Sequence, residues 1–252
     1  MIFQKDCLAG RRILVTGASS GIGRATAVLL SQCGAQIIAV GRDAARLQES
    51  MQQLEGAGHV AQVLDLNGDD AIVECLQQLT QSGALHGIFH AAGVSAVRPV
   101  KLSKAKNFDE VFASSARSAL ALARAASLRG VMVDAGAMVL MSSVAGQRGQ
   151  FGMSVYAAAK AAVDGMTRAL AVEFAPRGIR VNSIVAGAVA TEMHARLTQS
   201  LSEASVQEYH DKHLLGFGAA ADIAQVAGFL FSDGARWVTG ASWLVDGGYM
   251  AR

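Results

Sequence analysis

Residues Arg12-Ile-Leu-Val-Thr16 form a short apolar, β-branched run, and Gly17-Ala-Ser-Ser-Gly21-Ile-Gly23 follows it at once. A helical pattern from Ala25 to Cys33 comes next and ends at Gly34. The run lacks polar alternation, which suits a strand buried on both faces of a parallel sheet. A strand, a glycine-rich turn and a helix in this order bring backbone N–H groups and a helix N-terminus to one point, a ready phosphate site. Gly17 permits the tight turn, Gly21 lets a pyrophosphate approach the backbone, and Gly23 lets the helix sit close to the sheet. Ser19, Ser20 and Ile22 complete the expected cradle. The spacing is Gly-x-x-x-Gly-x-Gly, and a merely structural turn is the alternative.

The same strand–helix rhythm runs on through the chain. Strands are expected at Ala35–Val40, His59–Leu64, Gly87–Ala91, Ala137–Met141, Ile179–Val185 and Trp243–Val245. Helices are expected at Asp43–Leu54, Asp69–Thr80, Phe108–Leu128, Val155–Phe174 and Ala221–Phe231. Parallel strands joined by right-handed helical crossovers give an α/β fold. We therefore expect a single-domain Rossmann fold over residues 1–252: a doubly wound parallel seven-stranded sheet, helices on both faces, strand order 3-2-1-4-5-6-7. Its cofactor half spans 10–135 and its catalytic and substrate half 136–252. The polar stretch from Met193 to Gly218 reads as irregular, part of a lid over about 191–218.

Strand ends carry the candidate ligand contacts. After the second strand stands Gly41-Arg42, with no carboxylate to meet a ribose 2′-hydroxyl. An arginine there can offer its planar fork to a 2′-phosphate, which points to NADP(H). The alternative is a solvated arginine paired with Asp43. Asp65-Leu66 closes the third strand, and Ala92-Gly93 follows the fourth, where small residues let a flat ring lie against the backbone. His90 reads as a sheet-end or core histidine.

Ser154-Val-Tyr156-Ala-Ala-Ala-Lys160 puts a tyrosine and a lysine at i, i+4, on one helix face. An ammonium beside a phenol favours the phenolate, so the Tyr156 pKa should fall from about 10 towards working pH. That makes Tyr156 a candidate general acid/base. Ser143, thirteen residues earlier at a strand end, can converge on the start of that helix.

Several function classes are disfavoured. Net charge is +2 with both signs scattered, so nothing suggests nucleic acid or an anionic membrane. No apolar run reaches the roughly 20 residues of a membrane helix, and the N-terminus lacks a signal pattern. Cys7, Cys33 and Cys75 have no metal-ligand spacing; they read as reduced thiols of a cytoplasmic protein, and no metal is expected.

The motifs together resemble the short-chain dehydrogenase/reductase family. Thr16-Gly-Ala-Ser-Ser-Gly-Ile-Gly23, Asp65, Ala92-Gly93, Ser143, Tyr156-x-x-x-Lys160 and Thr191 stand in the family's order. The resemblance implies that Tyr156 protonates a carbonyl oxygen and that Lys160 binds the nicotinamide ribose and lowers the Tyr156 pKa. It implies further that Ser143 holds the substrate oxygen, Asp65 contacts the adenine, and Thr191, with Val189 nearby, contacts the nicotinamide. Three departures stand out. His90-Ala91-Ala92-Gly93 replaces the usual Asn-Asn-Ala-Gly, so a sheet-bracing asparagine is absent. Ser115 takes the place of an asparagine that supports a proton relay, and Ala186-Gly187 replaces Pro-Gly.

The expected function is NADP(H)-dependent interconversion of a carbonyl and a secondary alcohol. The expected pocket wall is Val94, Ser95, Gln150, Phe151, Met153, Met193, His194 and Leu197, with Gln150 and Met193 touching substrate. The closest pattern is that of the 3-oxoacyl-acyl-carrier-protein reductases, yet Val172 stands where those enzymes carry a base for their acidic carrier. A regulatory nucleotide-binding protein is the reading from another class. A sugar-nucleotide epimerase fits poorly, for want of its glycine spacing and C-terminal domain. The family usually assembles as homodimers or homotetramers. The small residues of Ser118–Ala123 and Ala157–Ala159 suit either helix packing between subunits or the chain's own core.

Overall fold

The computed structural model describes residues 3–95, 97–199 and 202–251. Strands β1 (Arg12–Thr16), β2 (Gln36–Gly41), β3 (Val60–Val63), β4 (Leu85–His90), β5 (Met132–Ser143) and β6 (Arg180–Ala186) alternate with helices. These are α1 (Gly21–Gln32), α2 (Ala44–Met51), α3 (Asp69–Leu79), α4 (Ala105–Phe112), α5 (Ser118–Ser127) and α6 (Ser154–Phe174). Then come β7 (Val189–Ala190), α7 (Glu192–Thr198), α8 (Glu203–Asp211), β8 (Gly218–Ala219), α9 (Ala220–Phe231) and β9 (Ser242–Val245). Seven strands form one sheet in the order β3-β2-β1-β4-β5-β6-β9, every pairing parallel. The chain is a single-domain, doubly wound Rossmann-type α/β fold, as its rhythm implied. The order reverses between β1 and β4, and the cleft opens beyond that reversal.

Alternation along the central strands divides the core in two. Leu14, Ile38, Ile88, Met138 and Leu140 point to one face, where α3, α5 and α6 cover them. Ile13, Val15, Ile37, Phe89 and Val139 point to the other, beneath α1 and α9. All five residues of β1 are buried, which accounts for its unbroken apolar run. Gly87 earns its place in β4: a Cβ there would meet the Phe231 ring at 2.7 Å. Phe231 packs edge-on against Phe89, with centroids 6.4 Å apart.

Three expectations need correction. The stretch after Met193 is not irregular, since α7 and α8 occupy much of it. Neither helix has a fully buried residue, so neither carries the apolar stripe that marks a core helix. The long helix expected from Phe108 begins at Ala105 and is interrupted by a π-helical turn over Ala113–Arg117. Strand β5 starts five residues early, through a stretch where Ala135 takes φ +57°. Of the small-residue stripe, Ser118, Ala119 and Ala121–Ala123 are buried in the chain's own core, leaving Leu120 exposed. No helix among the described residues is long and apolar enough to cross a membrane.

Candidate active site

The glycine turn is packed as tightly as its spacing implies. A Cβ on Gly23 would sit 2.2 Å from the Gly17 carbonyl oxygen, so α1 rests directly on the turn. Gly17 has φ +68°, and a Cβ there would meet the Ala92 nitrogen at 2.9 Å. The turn after β1 therefore lies against the turn after β4. Ser20 stands at the N-cap of α1 with extended backbone and makes no side-chain cap. The first-turn N–H groups and the positive end of the helix dipole are left for an anion. Gly21 lies against Thr191, whose Cγ2 would be 3.3 Å from a Cβ at that glycine. The residues present thus leave a tight turn and an uncapped helix start whose shape and N–H groups fit a pyrophosphate.

Along the carboxyl edge of the sheet, Arg42 is exposed beyond β2. Its neighbour Asp43 caps α2, accepting from the Arg46 N–H at 3.1 Å. None of the ion pairs among the described residues includes Arg42. Arg24 donates to the Ser19 carbonyl at 2.6 Å and to Ser50 at 2.8 Å, tying the glycine turn to α2. Arg46 pairs with Glu192 at the start of α7. Asp65 is exposed and accepts from the Asn67 N–H at 3.2 Å, whereas the Leu66 side chain turns into the core.

Tyr156 and Lys160 occupy the first two turns of α6, where the helix meets the end of β5. The Lys160 ammonium lies 5.6 Å from the Tyr156 ring centroid and donates to the Met141 carbonyl at 2.8 Å. Ser143 Oγ accepts from the Ala145 N–H at 3.2 Å and reaches the Tyr156 phenol. The expected fall in the Tyr156 pKa is not what these surroundings produce. Desolvation pushes the phenol up to about 12, and the Ser143 hydrogen bond offsets only part of that. Lys160 does not reverse it: burial draws its own ammonium down to about 8. Asp164, one turn further along α6, pulls the lysine back up.

His90 replaces the missing asparagine as a brace. Burial keeps the ring neutral and the Ser115 carbonyl can only accept, so Thr16 Oγ1, which accepts from the Ala92 N–H at 3.2 Å, gives its own proton to His90 Nδ1 at 2.8 Å. His90 Nε2 then carries the ring proton and faces Ser118 Oγ at 3.0 Å and the Ser115 carbonyl at 3.3 Å. This neutral, fully partnered imidazole joins β1, β4 and the π turn. Burial, reinforced by Lys160, holds its pKa near 3. Ser115 is fully buried and its Oγ has no hydrogen-bond partner among the described residues. That hydroxyl lies 3.4 Å from where a Gly93 Cβ would stand, with Lys160 Nζ 3.7 Å from the same point.

The cleft over these groups is lined by Ile22, Gly93, Ser143, Gln150, Tyr156, Lys160, Val189, Thr191 and Met193 among the expected residues. Ser95, Met153, His194 and Leu197 also line it, as expected. Phe151 does not: it is exposed, and Val94 is likewise outside the wall. Thr191 caps α7, accepting from the His194 N–H at 3.3 Å and donating to the Val189 carbonyl at 3.2 Å. Tyr209, from α8, is a wall residue that sequence reading missed. It is held from below by His213, whose Nδ1 donates to the Tyr209 carbonyl at 3.0 Å while Nε2 accepts from the Ala188 N–H at 3.1 Å. Gln150 donates to the Tyr249 hydroxyl at 3.1 Å.

A family model described as enoyl-(acyl carrier protein) reductase matches residues 17–250. The 3-oxoacyl-acyl-carrier-protein reductase of Pseudomonas aeruginosa is 36% identical over 252 residues, covering 97% of the chain and 99% of that protein. A solved short-chain dehydrogenase/reductase double mutant of Serratia marcescens is similar with a TM-score of 0.88 at 27% identity, over 96% of the chain and 98% of its own. A Beutenbergia cavernae protein assigned as an NAD(P)-dependent gluconate 5-dehydrogenase, solved with NADP bound at low occupancy, gives a TM-score of 0.88 at 32% identity. That match covers 97% of the chain and 98% of its own.

Proposed function

Because the chain belongs to the short-chain dehydrogenase/reductase family, whose members oxidise alcohols or reduce carbonyls, we propose that it is an NADP(H)-dependent reductase of a mid-sized ketone, working also in reverse. The observation that supports this most is the meeting of Tyr156, Lys160 and Ser143 in one cleft that runs to the uncapped start of α1. When bound, the nicotinamide supplies or accepts the hydride. The rest falls to the chain. Tyr156 gives its proton to the carbonyl oxygen, and Ser143 donates a second hydrogen bond as charge builds there. Lys160 stabilises the phenolate left behind. Gly17, Ser19, Ser20, Gly21, Ile22 and Gly23 hold the pyrophosphate, and Arg42 the 2′-phosphate. Asp65 and the Leu66 backbone hold the adenine side, and Ala92, Gly93, Val189 and Thr191 the nicotinamide side. Ser115 closes the proton path behind Lys160. Gln150 and Met193 touch the substrate, with α7 and α8 as its lid over about 191–218.

The apolar lining from Val144, Met153, Met193 and Leu197 supports a ketone with an apolar body. A carrier-bound thioester is the second reading, favoured by the similarity to the Pseudomonas aeruginosa protein. Equal rates on free and carrier-bound thioesters would count against it. Exposed Leu120 on α5 and Val172 on α6 support assembly into a homodimer or homotetramer, checked by sedimentation at micromolar concentration. The primary test is Tyr156→Phe. We expect kcat/KM for ketone reduction to fall by at least about 100-fold with NADPH still bound. Full turnover in that variant would remove Tyr156 from the mechanism.

A further inference from the structure

We propose that Asp164 is the buried counter-charge of Lys160, a positioning residue that keeps the lysine ammonium charged inside the cleft wall. This rests on the reading above, in which Lys160 supports the Tyr156 phenolate. Three observations carry it. First, among the described residues Asp164 is the one carboxylate that is fully buried. Second, among the described residues the buried basic side chains other than histidines are Lys160 and Arg12, and Arg12 is occupied at the far end of β1 with Ser82 and the Gly83 carbonyl. Third, Asp164 follows Lys160 by four residues on α6, one turn along the same face. A charge withdrawn from water needs a partner or hydrogen bonds to remain charged. Asp164 has both. Gln147 Nε2 donates to its Oδ2 at 3.1 Å, Ser183 donates to its Oδ1 at 2.9 Å, and Ser242 approaches Oδ1 at 3.4 Å. All three donors are uncharged, so they hold the carboxylate without neutralising it.

The titratable groups that face Lys160 are Tyr156 and Asp164 from its own helix and His90 from β4. His90 is neutral because it is buried, and Tyr156 holds its proton. Beside the Met141 carbonyl, which accepts from the ammonium, the carboxylate is therefore the one titratable group opposing the burial that discharges the lysine. Without it, a neutral Lys160 would bring no charge to stabilise a phenolate.

The test reads Lys160 directly, apart from turnover. Lysine labelled at Cε with carbon-13 is titrated by NMR in the full chain, with Lys160→Arg identifying the signal. In Asp164→Asn the Lys160 midpoint is expected to fall by about one to two pH units. The alkaline limb of kcat/KM for alcohol oxidation is expected to move the same way. Ser183→Ala breaks the same network while keeping the charge, and should leave the midpoint in place. An unmoved or raised midpoint in folded Asp164→Asn overturns the proposal, as does an equal shift in Ser183→Ala. Asp164→Leu is the second uncharged variant, and loss of the fold in both also counts against it, since a residue acting through charge tolerates an uncharged isostere. Failure of the catalytic reading itself appears elsewhere, as a fully active Tyr156→Phe.

Discussion

His90 makes the fold's stability depend on pH in a way that one substitution can isolate. Its ring is fully buried and neutral, and its pKa is about 3 against an ordinary 6.5. Between those values the unfolded chain binds a proton that the native chain refuses. Stability from this group is therefore fully present above about pH 6.5 and is lost as pH falls below it, at about 1.4 kcal/mol per pH unit. At pH 5 the loss is about 2 kcal/mol relative to pH 7.5, or roughly 1 M in urea midpoint at an m-value near 2 kcal/mol/M. His90→Asn supplies an amide that can accept from Thr16 and donate towards Ser118, yet cannot titrate. The assay is urea unfolding followed by circular dichroism at both pH values, with both proteins at one fixed concentration. All other titrating groups are common to the two proteins, so the difference of differences reports His90 alone. The wild type should lose about 2 kcal/mol more than His90→Asn on going to pH 5. Equal losses in both would refute a neutral buried His90.

Arg42→Ala should weaken NADPH binding by at least about tenfold, or 1.4 kcal/mol, and leave NADH within twofold, as followed by fluorescence titration. An equal loss for both cofactors would mean that Arg42 does not read the 2′-phosphate. Gly23→Ala places a Cβ 2.2 Å from the Gly17 carbonyl oxygen, a backbone atom that cannot give way. It should lower the melting temperature by roughly 5–10 °C and abolish dinucleotide binding. Gly165→Ala is its opposite: Gly165 lies within α6 with open space around it, and alanine there should raise the melting temperature by about 2 °C.

What the sequence disclosed depended on how local the determining physics was. β1 was legible because burial on both faces forces an unbroken apolar run, and all five of its residues are buried. The strand order followed from the strand–helix rhythm, since right-handed crossovers leave few topologies. The Tyr156–Lys160 face was legible because i, i+4 spacing is fixed by helix geometry. Asp164 carried the same signal one turn later, and went unread because a carboxylate on a helix ordinarily faces water. α7 and α8 were illegible, for they lie on the surface with no stripe to reveal them. Tyr209 lines the cleft, and His213, just beyond α8, bonds both its carbonyl and the Ala188 N–H, a contact that no local pattern announces.

The Tyr156 pKa shows where residue type and spacing cease to decide. Spacing put a cation beside a phenol and so predicted a depressed value, but burial acts on both groups, and on each it favours the neutral form. The phenol is pushed up to about 12 and the ammonium down to about 8. A phenol that holds its proton throughout the neutral range is suited to giving it away, the direction that ketone reduction requires. Taking a proton from an alcohol demands the phenolate, and hence a charged Lys160. On the proposed mechanism the oxidation direction should therefore show the steeper dependence on pH. Its rate should rise as pH climbs towards 8 and then fall as the lysine discharges, while reduction stays level across neutrality. Paired pH–rate profiles in the two directions test this, and two profiles of the same shape would mean that burial does not set the resting state of the site.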